Sequence, residues 1–197
     1  LLKRAMCNKC EYPLRTCVCS AVSQIKNKIE VIILQDKNEV NDAKNTARLV
    51  ALCLTDISII KSDDIARLTQ LQNSCLSDPR SFALFFPCNN SQAFEHHFAS
   101  LQNNNLGTST AVKHLLFIDG TWRKAKRLYL RHQWLQSLPS FHFNEPLERR
   151  YRIRKTSINN GISTLEAVAY VVSKTDDMPS KPLYDLFEKM QSFWPSN

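Results

Sequence analysis

Two stretches of this 197-residue chain combine residue types and spacings that could do chemistry. The first is Leu115-Leu116-Phe117-Ile118-Asp119-Gly120-Thr121-Trp122, an apolar run that breaks at an acid, a glycine and a threonine. A carboxylate at the end of a buried strand can take or orient a proton, and the glycine after it lets a ligand come close to the backbone. The same Asp could instead cap the helix that follows. The second stretch is Cys7-x2-Cys10-x6-Cys17-x-Cys19. Two close pairs joined by a short loop can wrap four thiolates around a tetrahedral zinc ion. Two disulfides are the alternative, but no basic leader and apolar export segment precedes Cys7, so zinc is the expectation. The chain opens on Leu1 rather than Met, which leaves room for upstream sequence. Cys53, Cys75 and Cys88 are scattered and read as ordinary free thiols.

Two more segments offer binding groups. In an extended Tyr151–Arg154, the side chains of Arg150, Arg152 and Arg154 share one face and could line up along phosphates. Asn160-Gly161-Ile162-Ser163-Thr164-Leu165-Glu166-Ala167 reads as a turn and a helix start, where Ser163 and Thr164 could cap while free N–H groups face a carboxylate. Between Lys113 and Lys155 lie eleven basic residues and three acids, so this segment carries the whole net charge of +8 and the rest is neutral. That concentration suggests a polyanionic partner, against the plainer reading of a solvated face. After Asp119-Gly120-Thr121-Trp122, the residues Lys124, Arg127 and Arg131 form a basic stripe at helical spacing. Trp122, Tyr129 and Trp134 are interleaved with it, as on a surface that stacks bases, although Tyr129 reads more readily as core.

The elements that must position these groups alternate. Strands are expected at Lys28–Leu34, Ile57–Ile60, Phe82–Phe86 and Leu115–Ile118, with extended pieces at Phe141–Phe143 and Tyr151–Arg154. Helices are expected over Asn41–Leu54, from Asp63 or Asp64 through Leu71, from a Ser91 cap to about Leu101, and over Thr121–Ser137, Ser163–Lys174 and Leu183–Phe193. The pattern predicts an α/β fold, a mostly parallel open sheet with helices on both faces, whose ligands sit at the carboxyl ends of strands. Domains are expected at 1–27, a cysteine-rich zinc module, and at 28–197, the α/β body. Three glycines in all exclude a Gly-rich nucleotide fingerprint. No apolar run approaches the roughly 18 residues of a membrane span, so a soluble, cytoplasmic chain is expected.

Asp119-Gly120-Thr121-Trp122 resembles the signature of the DTW-domain family. In the family's order, the four-cysteine module, Lys44-Asn45-Thr46-Ala47-Arg48-Leu49, Phe86-Pro87 and Ile162-Ser163-Thr164-Leu165-Glu166-Ala167 accompany it, from Cys7 to about Val172. The resemblance implies a tRNA-uridine aminocarboxypropyltransferase with a fold related to the knotted SPOUT methyltransferases. It would transfer the 3-amino-3-carboxypropyl group of S-adenosylmethionine to N3 of a tRNA uridine and release methylthioadenosine. Asp119 is then the expected catalytic residue. Thr46, Pro87, Gly120, Thr121, Trp122, Ile162, Ser163, Thr164 and Glu166 are the expected cofactor contacts. Lys124, Arg127, Arg131, Arg150, Arg152 and Arg154 would hold RNA, and Cys7, Cys10, Cys17 and Cys19 a structural zinc. Knotted relatives often dimerise, and the sequence leaves monomer and homodimer open. Similar sequences often end the first strand as Leu-Gln-His, where this chain has Leu34-Gln35-Asp36, so Asp36 must stand in for that His or the role is dispensable. A methyltransferase of the same fold group and a non-enzymatic, zinc-bearing RNA binder are the rival readings.

Overall fold

The main strands form because short, largely apolar runs are bounded by turn residues. β1 (Glu30–Gln35) is buried along nearly its whole length, as a strand covered on both faces should be. In the computed structural model it is joined by β2 (Ile57–Lys61), β3 (Phe82–Phe85), β4 (Gln92–Ala93), β5 (His114–Asp119) and β6 (Ser140–His142). The structure describes residues 5–97, 112–144, 147, 150–153 and 161–194. The six strands lie in the order β2-β1-β5-β3-β6-β4, and every pairing is parallel. The expected parallel α/β sheet is therefore present. Tracing the expected knot needs the path through 98–111 and 154–160, which lie outside the described residues.

Two compact units divide the chain. One contains Lys28–Val40 and Asp56–Leu147, and the other Leu1–Asn27, Asn41–Thr55 and Glu148–Asn197. In the sheet unit, α2 (Ile65–Ser77) and α3 (Trp122–Arg131) pack on one face. Ile32, Leu34, Ile60, Leu84 and Leu116 point that way and meet Leu68, Leu71 and Cys75 of α2 and Ala125 and Leu128 of α3. Val31, Ile33, Leu115 and Phe117 alternate to the opposite face and are buried as well. Asp64 caps α2 by accepting from the Arg67 N–H at 3.1 Å.

The helical unit contains α1 (Thr46–Cys53), α4 (Thr164–Thr175) and α5 (Lys181–Gln191), which contact one another pairwise. Their apolar faces, including Leu49, Val50, Leu165, Val168, Leu183 and Phe187, are fully buried. The cysteine-rich segment, expected to be a module of its own, packs inside this unit. Tyr12 is completely buried, donates its hydroxyl to the Asn45 carbonyl at 3.1 Å, and lies under the Arg48 guanidinium at 5.0 Å.

Several expected elements differ in extent: α2 runs on to Ser77 rather than ending at Leu71. α1 starts at Thr46 because the Asn45 side chain caps it, accepting from the Arg48 N–H at 3.2 Å. The helix expected over Thr121–Ser137 stops at Arg131, and Gln133–Ser137 continues as a 3-10 turn. Ser91 does not cap a helix. Its hydroxyl bonds to the Cys88 carbonyl and to His142 Nδ1, and Gln92–Ala93 pairs with β6. Much of the helix expected to follow lies outside the described residues, as does the loop 103–107. Tyr151 and Arg152 run without joining a strand. Side chains bind this backbone instead: Glu166 Oε1 accepts from the Arg150 and Tyr151 N–H groups, and Gln191 Oε1 from that of Arg152.

Candidate active site

β1 and β5 are neighbours, and their connections diverge. The chain leaves β1 toward β2 on one side, and leaves β5 through α3 toward β6 on the other. A crevice outside the carboxyl ends of such a pair is where open parallel sheets bind ligands. Gln35 and Asp119, the last residues of the two strands, are register partners at that edge. Both are buried, and Gln35 Nε2 donates to Asp119 Oδ2 at 2.8 Å. The bond fixes the carboxylate rotamer. It is not the cap of α3. That is Thr121, whose hydroxyl accepts from the Lys124 N–H at 3.4 Å.

Around this edge the β1–α1 loop is clamped to α3. Asp36 is 2% exposed, and its N–H donates to the Asp119 carbonyl at 3.0 Å. Its carboxylate accepts from the backbone and side-chain nitrogens of Asn38 and from Arg127 at 3.1 Å. Burial raises its pKa, but the Asn38 N–H and the Arg127 guanidinium outweigh that and hold the carboxyl below its ordinary value. Glu39, also buried, accepts from Lys124 Nζ at 2.6 Å. Gly120 lets the segments close. At φ +157° a side chain is strained, and an added Cβ would lie 3.2 Å from Lys124 Cβ and 3.5 Å from Asp36 Cβ.

The opposite flank of α3 is aromatic. Phe86, buried at the end of β3, stacks on Trp122 at 5.3 Å between centroids and on Tyr129 at 4.7 Å. Trp122 remains 44% exposed, whereas Tyr129 and Trp134 pack against the core of the unit. Pro87, beside Phe86, is exposed. The next residue, Cys88, is desolvated, yet hydrogen bonds from Tyr129, Asn90, Ser140 and Ser91 bring its thiol below the usual value. Desolvation and this thiol push the Tyr129 hydroxyl up to about 12.

Arg131 is exposed at the end of α3 in the sheet unit, and the remaining expected site residues lie in the helical unit. Thr46 is buried at the start of α1, and Ile162, Ser163 and Thr164 are partly exposed at the start of α4. Ser163 forms a full capping box with Glu166. Glu166 is 1% exposed, and its oxygens accept from the N–H groups of Arg150, Tyr151 and Ser163, so it holds the chain onto α4. The Arg150 guanidinium lies over the Tyr184 ring at 4.3 Å, Arg152 is exposed, and Arg154 lies outside the described residues. The four N-terminal cysteine sulfurs are all within 4.8 Å of one another, with Cys7–Cys19 at 3.6 Å and Cys10–Cys17 at 3.7 Å. Backbone N–H groups of Cys10 and Lys9 lower the Cys7 pKa to about 6, while desolvation and the neighbouring thiols raise that of Cys19 to about 12.

The DTW-domain family matches residues 4–195, almost the entire chain. The chain belongs to the DTW-domain family. Among curated proteins, tRNA-uridine aminocarboxypropyltransferase 2 of Macaca fascicularis is 23% identical over 177 residues, covering 87% of this chain and 56% of the relative. The protein of the same name from Mus musculus matches with the same identity and coverage. The chain thus spans little more than half the length of the curated relatives it matches. No solved structure matches.

Within this DTW domain the signature residues divide their work: Asp119 presents a carboxylate, Gly120 permits close approach, Thr121 caps α3 and Trp122 covers Phe86. Asp36 is bonded to Asn38 and Arg127. Sequence reasoning missed Gln35 and Glu39 as partners of Asp119 and Lys124. The strand pattern places Gln35 at the same end of β1 as Asp119 on β5, but only the register pairs them.

Proposed function

We propose that this chain transfers the 3-amino-3-carboxypropyl group of S-adenosylmethionine to N3 of a uridine in tRNA, releasing methylthioadenosine. One observation carries the reading: a buried carboxylate, Asp119, held by Gln35 at the carboxyl edge where the connections of β1 and β5 diverge. Family membership and the names of the relatives support it. The donor supplies, when bound, a sulfonium leaving group on the aminocarboxypropyl methylene. Asp119 accepts the uridine N3 proton as the N–C bond forms and the C–S bond breaks, its electron pair returning to sulfur. Gln35 keeps Asp119 aimed. Gly120, Thr121 and Trp122 surround the reacting edge. Attack at this methylene rather than the methyl group is a matter of positioning. In the helical unit, Ser163, Thr164 and the positive start of α4 suit the amino-acid carboxylate of the donor. Their hydroxyls fit that group, whereas the Ser163 N–H is already given to Glu166. Thr46, Pro87 and Ile162 complete the proposed contacts, whereas Glu166 has its oxygens engaged by backbone N–H groups.

A structural zinc on Cys7, Cys10, Cys17 and Cys19 belongs to the same reading. Zn–S bonds of about 2.3 Å in a tetrahedron put sulfurs about 3.8 Å apart, close to the Cys7–Cys19 and Cys10–Cys17 separations. Four thiolates leave no open position for catalysis, so its role is to brace the segment that carries Tyr12. A reducing, cytoplasmic setting suits such thiolates, and no helix among the described residues is long and apolar enough to cross a membrane. A SPOUT-related knot is part of the proposal.

Mass spectrometry of tRNA nucleosides after incubation with protein and S-adenosylmethionine tests the chemistry. An aminocarboxypropyl adduct with methylthioadenosine is expected. Methylated uridine with S-adenosylhomocysteine would mean a methyltransferase, and unchanged tRNA a binder. Asp119→Asn should retain tRNA and donor binding yet form no product. Near-normal turnover would remove Asp119 from the role of base.

A further inference from the structure

We infer that Arg123, Lys126 and Arg131 form a ridge along α3 that grips the phosphates of the RNA substrate, an inference that rests on the RNA substrate proposed above. The sequence suggests a different stripe, Lys124, Arg127 and Arg131. The structure separates its members. Lys124 is turned to buried Glu39 and is only 26% exposed, and Arg127 spends a donor on buried Asp36. These bonds hold one flank of α3, the stack of Trp122 and Tyr129 on Phe86 holds the other, and Ala125 and Leu128 face the sheet.

With about 100° of turn per residue, Arg123, Lys126 and Leu130 fall on the side away from Ala125 and Leu128. All three are exposed, as is Arg131, about two turns beyond Arg123 and about 80° round the helix from it. Among the described residues, no carboxylate pairs with Arg123, Lys126 or Arg131. α3 itself contains no acidic residue. Among the described residues, buried Asp36 and Glu39 pair with Arg127 and Lys124, whereas Arg123, Lys126 and Arg131 have no acidic partner. At 1.5 Å of rise per residue, the ridge runs for about 12 Å from Arg123 to Arg131. It starts beside the exposed Trp122 and adjoins Gly120 and the buried Asp119. A row of unopposed cations on a rigid, two-sided mount suits a polyanion whose charges repeat along a strand. Leu130 is the one large apolar group on the outward face, too little for a protein interface.

The test measures tRNA affinity by fluorescence anisotropy from 50 to 200 mM salt. Each lost phosphate contact should flatten the log–log salt slope by roughly 0.7–0.9, so an Arg123→Ala/Lys126→Ala/Arg131→Ala variant should lose about 2–3. Lys124→Met should keep the parent slope while lowering the unfolding midpoint. Alanine at exposed helix positions keeps helix propensity, and circular dichroism verifies folding. The inference is overturned by a triple variant with the parent slope, by a Lys124→Met slope reduced as much, or by an acidic polypeptide that binds the ridge where tRNA does not. Product formation is read separately. A parent that forms no product but shows the expected slopes refutes the transferase and leaves the ridge, whereas product with unchanged slopes does the reverse.

Discussion

Replacing Glu166 separates a structural carboxylate from a ligand-binding one. The family resemblance places Glu166 among the cofactor contacts, yet it is 1% exposed and accepts from Arg150 N–H at 2.6 Å, Tyr151 N–H at 3.0 Å and Ser163 N–H at 2.6 Å. Glu166→Ala leaves three donors without that acceptor. A buried donor left unsatisfied costs about 1–3 kcal/mol, and water entering the cavity recovers part of it. The expected loss is therefore about 3–5 kcal/mol, a large share of the roughly 5–15 kcal/mol by which a domain is stable. Glu166→Gln keeps one oxygen for Arg150 and Tyr151 but turns an amide toward Ser163 N–H, so about 1–2 kcal/mol is expected. Urea unfolding followed by circular dichroism measures both. A Glu166→Ala loss under 1 kcal/mol would refute the assignment. So would a Glu166→Gln variant of parental stability whose calorimetric affinity for S-adenosylmethionine falls more than tenfold.

Two other outcomes follow from the charges and the thiols. Asp36, with a carboxyl held below its ordinary value, contributes stability above the unfolded-state pKa and loses it as pH falls through the folded value. Asp36→Asn should therefore unfold about 1–2 kcal/mol more easily at pH 7, with the gap closing below about pH 4. A gap unchanged down to pH 3 would contradict this account. Metal analysis of freshly reduced protein should find one zinc per chain. A strong chelator should remove it and lower the thermal unfolding midpoint, because Tyr12 ties the cysteine segment to α1. Metal-free protein with the same midpoint would sink the zinc assignment.

Much of the fold was legible because burial leaves a strong imprint on composition. Runs such as Val31-Ile32-Ile33-Leu34 and Leu115-Leu116-Phe117-Ile118 do not fit water, and their alternation with amphipathic helices implies a parallel sheet. The errors occurred where a local pattern needed a distant partner. Tyr151 and Arg152 have an extended backbone, but Glu166 and Gln191 supply the acceptors a neighbouring strand would have supplied. Ser91 is a good cap by type, yet its hydroxyl is taken by Cys88 and His142. Helical spacing says which cations on α3 share a face, not which of them meet buried acids, as Lys124 and Arg127 do.

By itself, the sequence determined the element types, the strand-end acid with its glycine, the four-thiol cluster and the DTW family. These depend on short-range spacing and residue chemistry, which are written in order along the chain. Tertiary structure alone decided that Gln35 holds Asp119, that Asp36 and Glu39 capture Arg127 and Lys124, and that Glu166 serves the backbone. The Ser163 cap apart, these pairings join residues separated by 15 to 91 positions. Sheet register and helix rotation set such distances, and both are properties of the packed core rather than of any local segment.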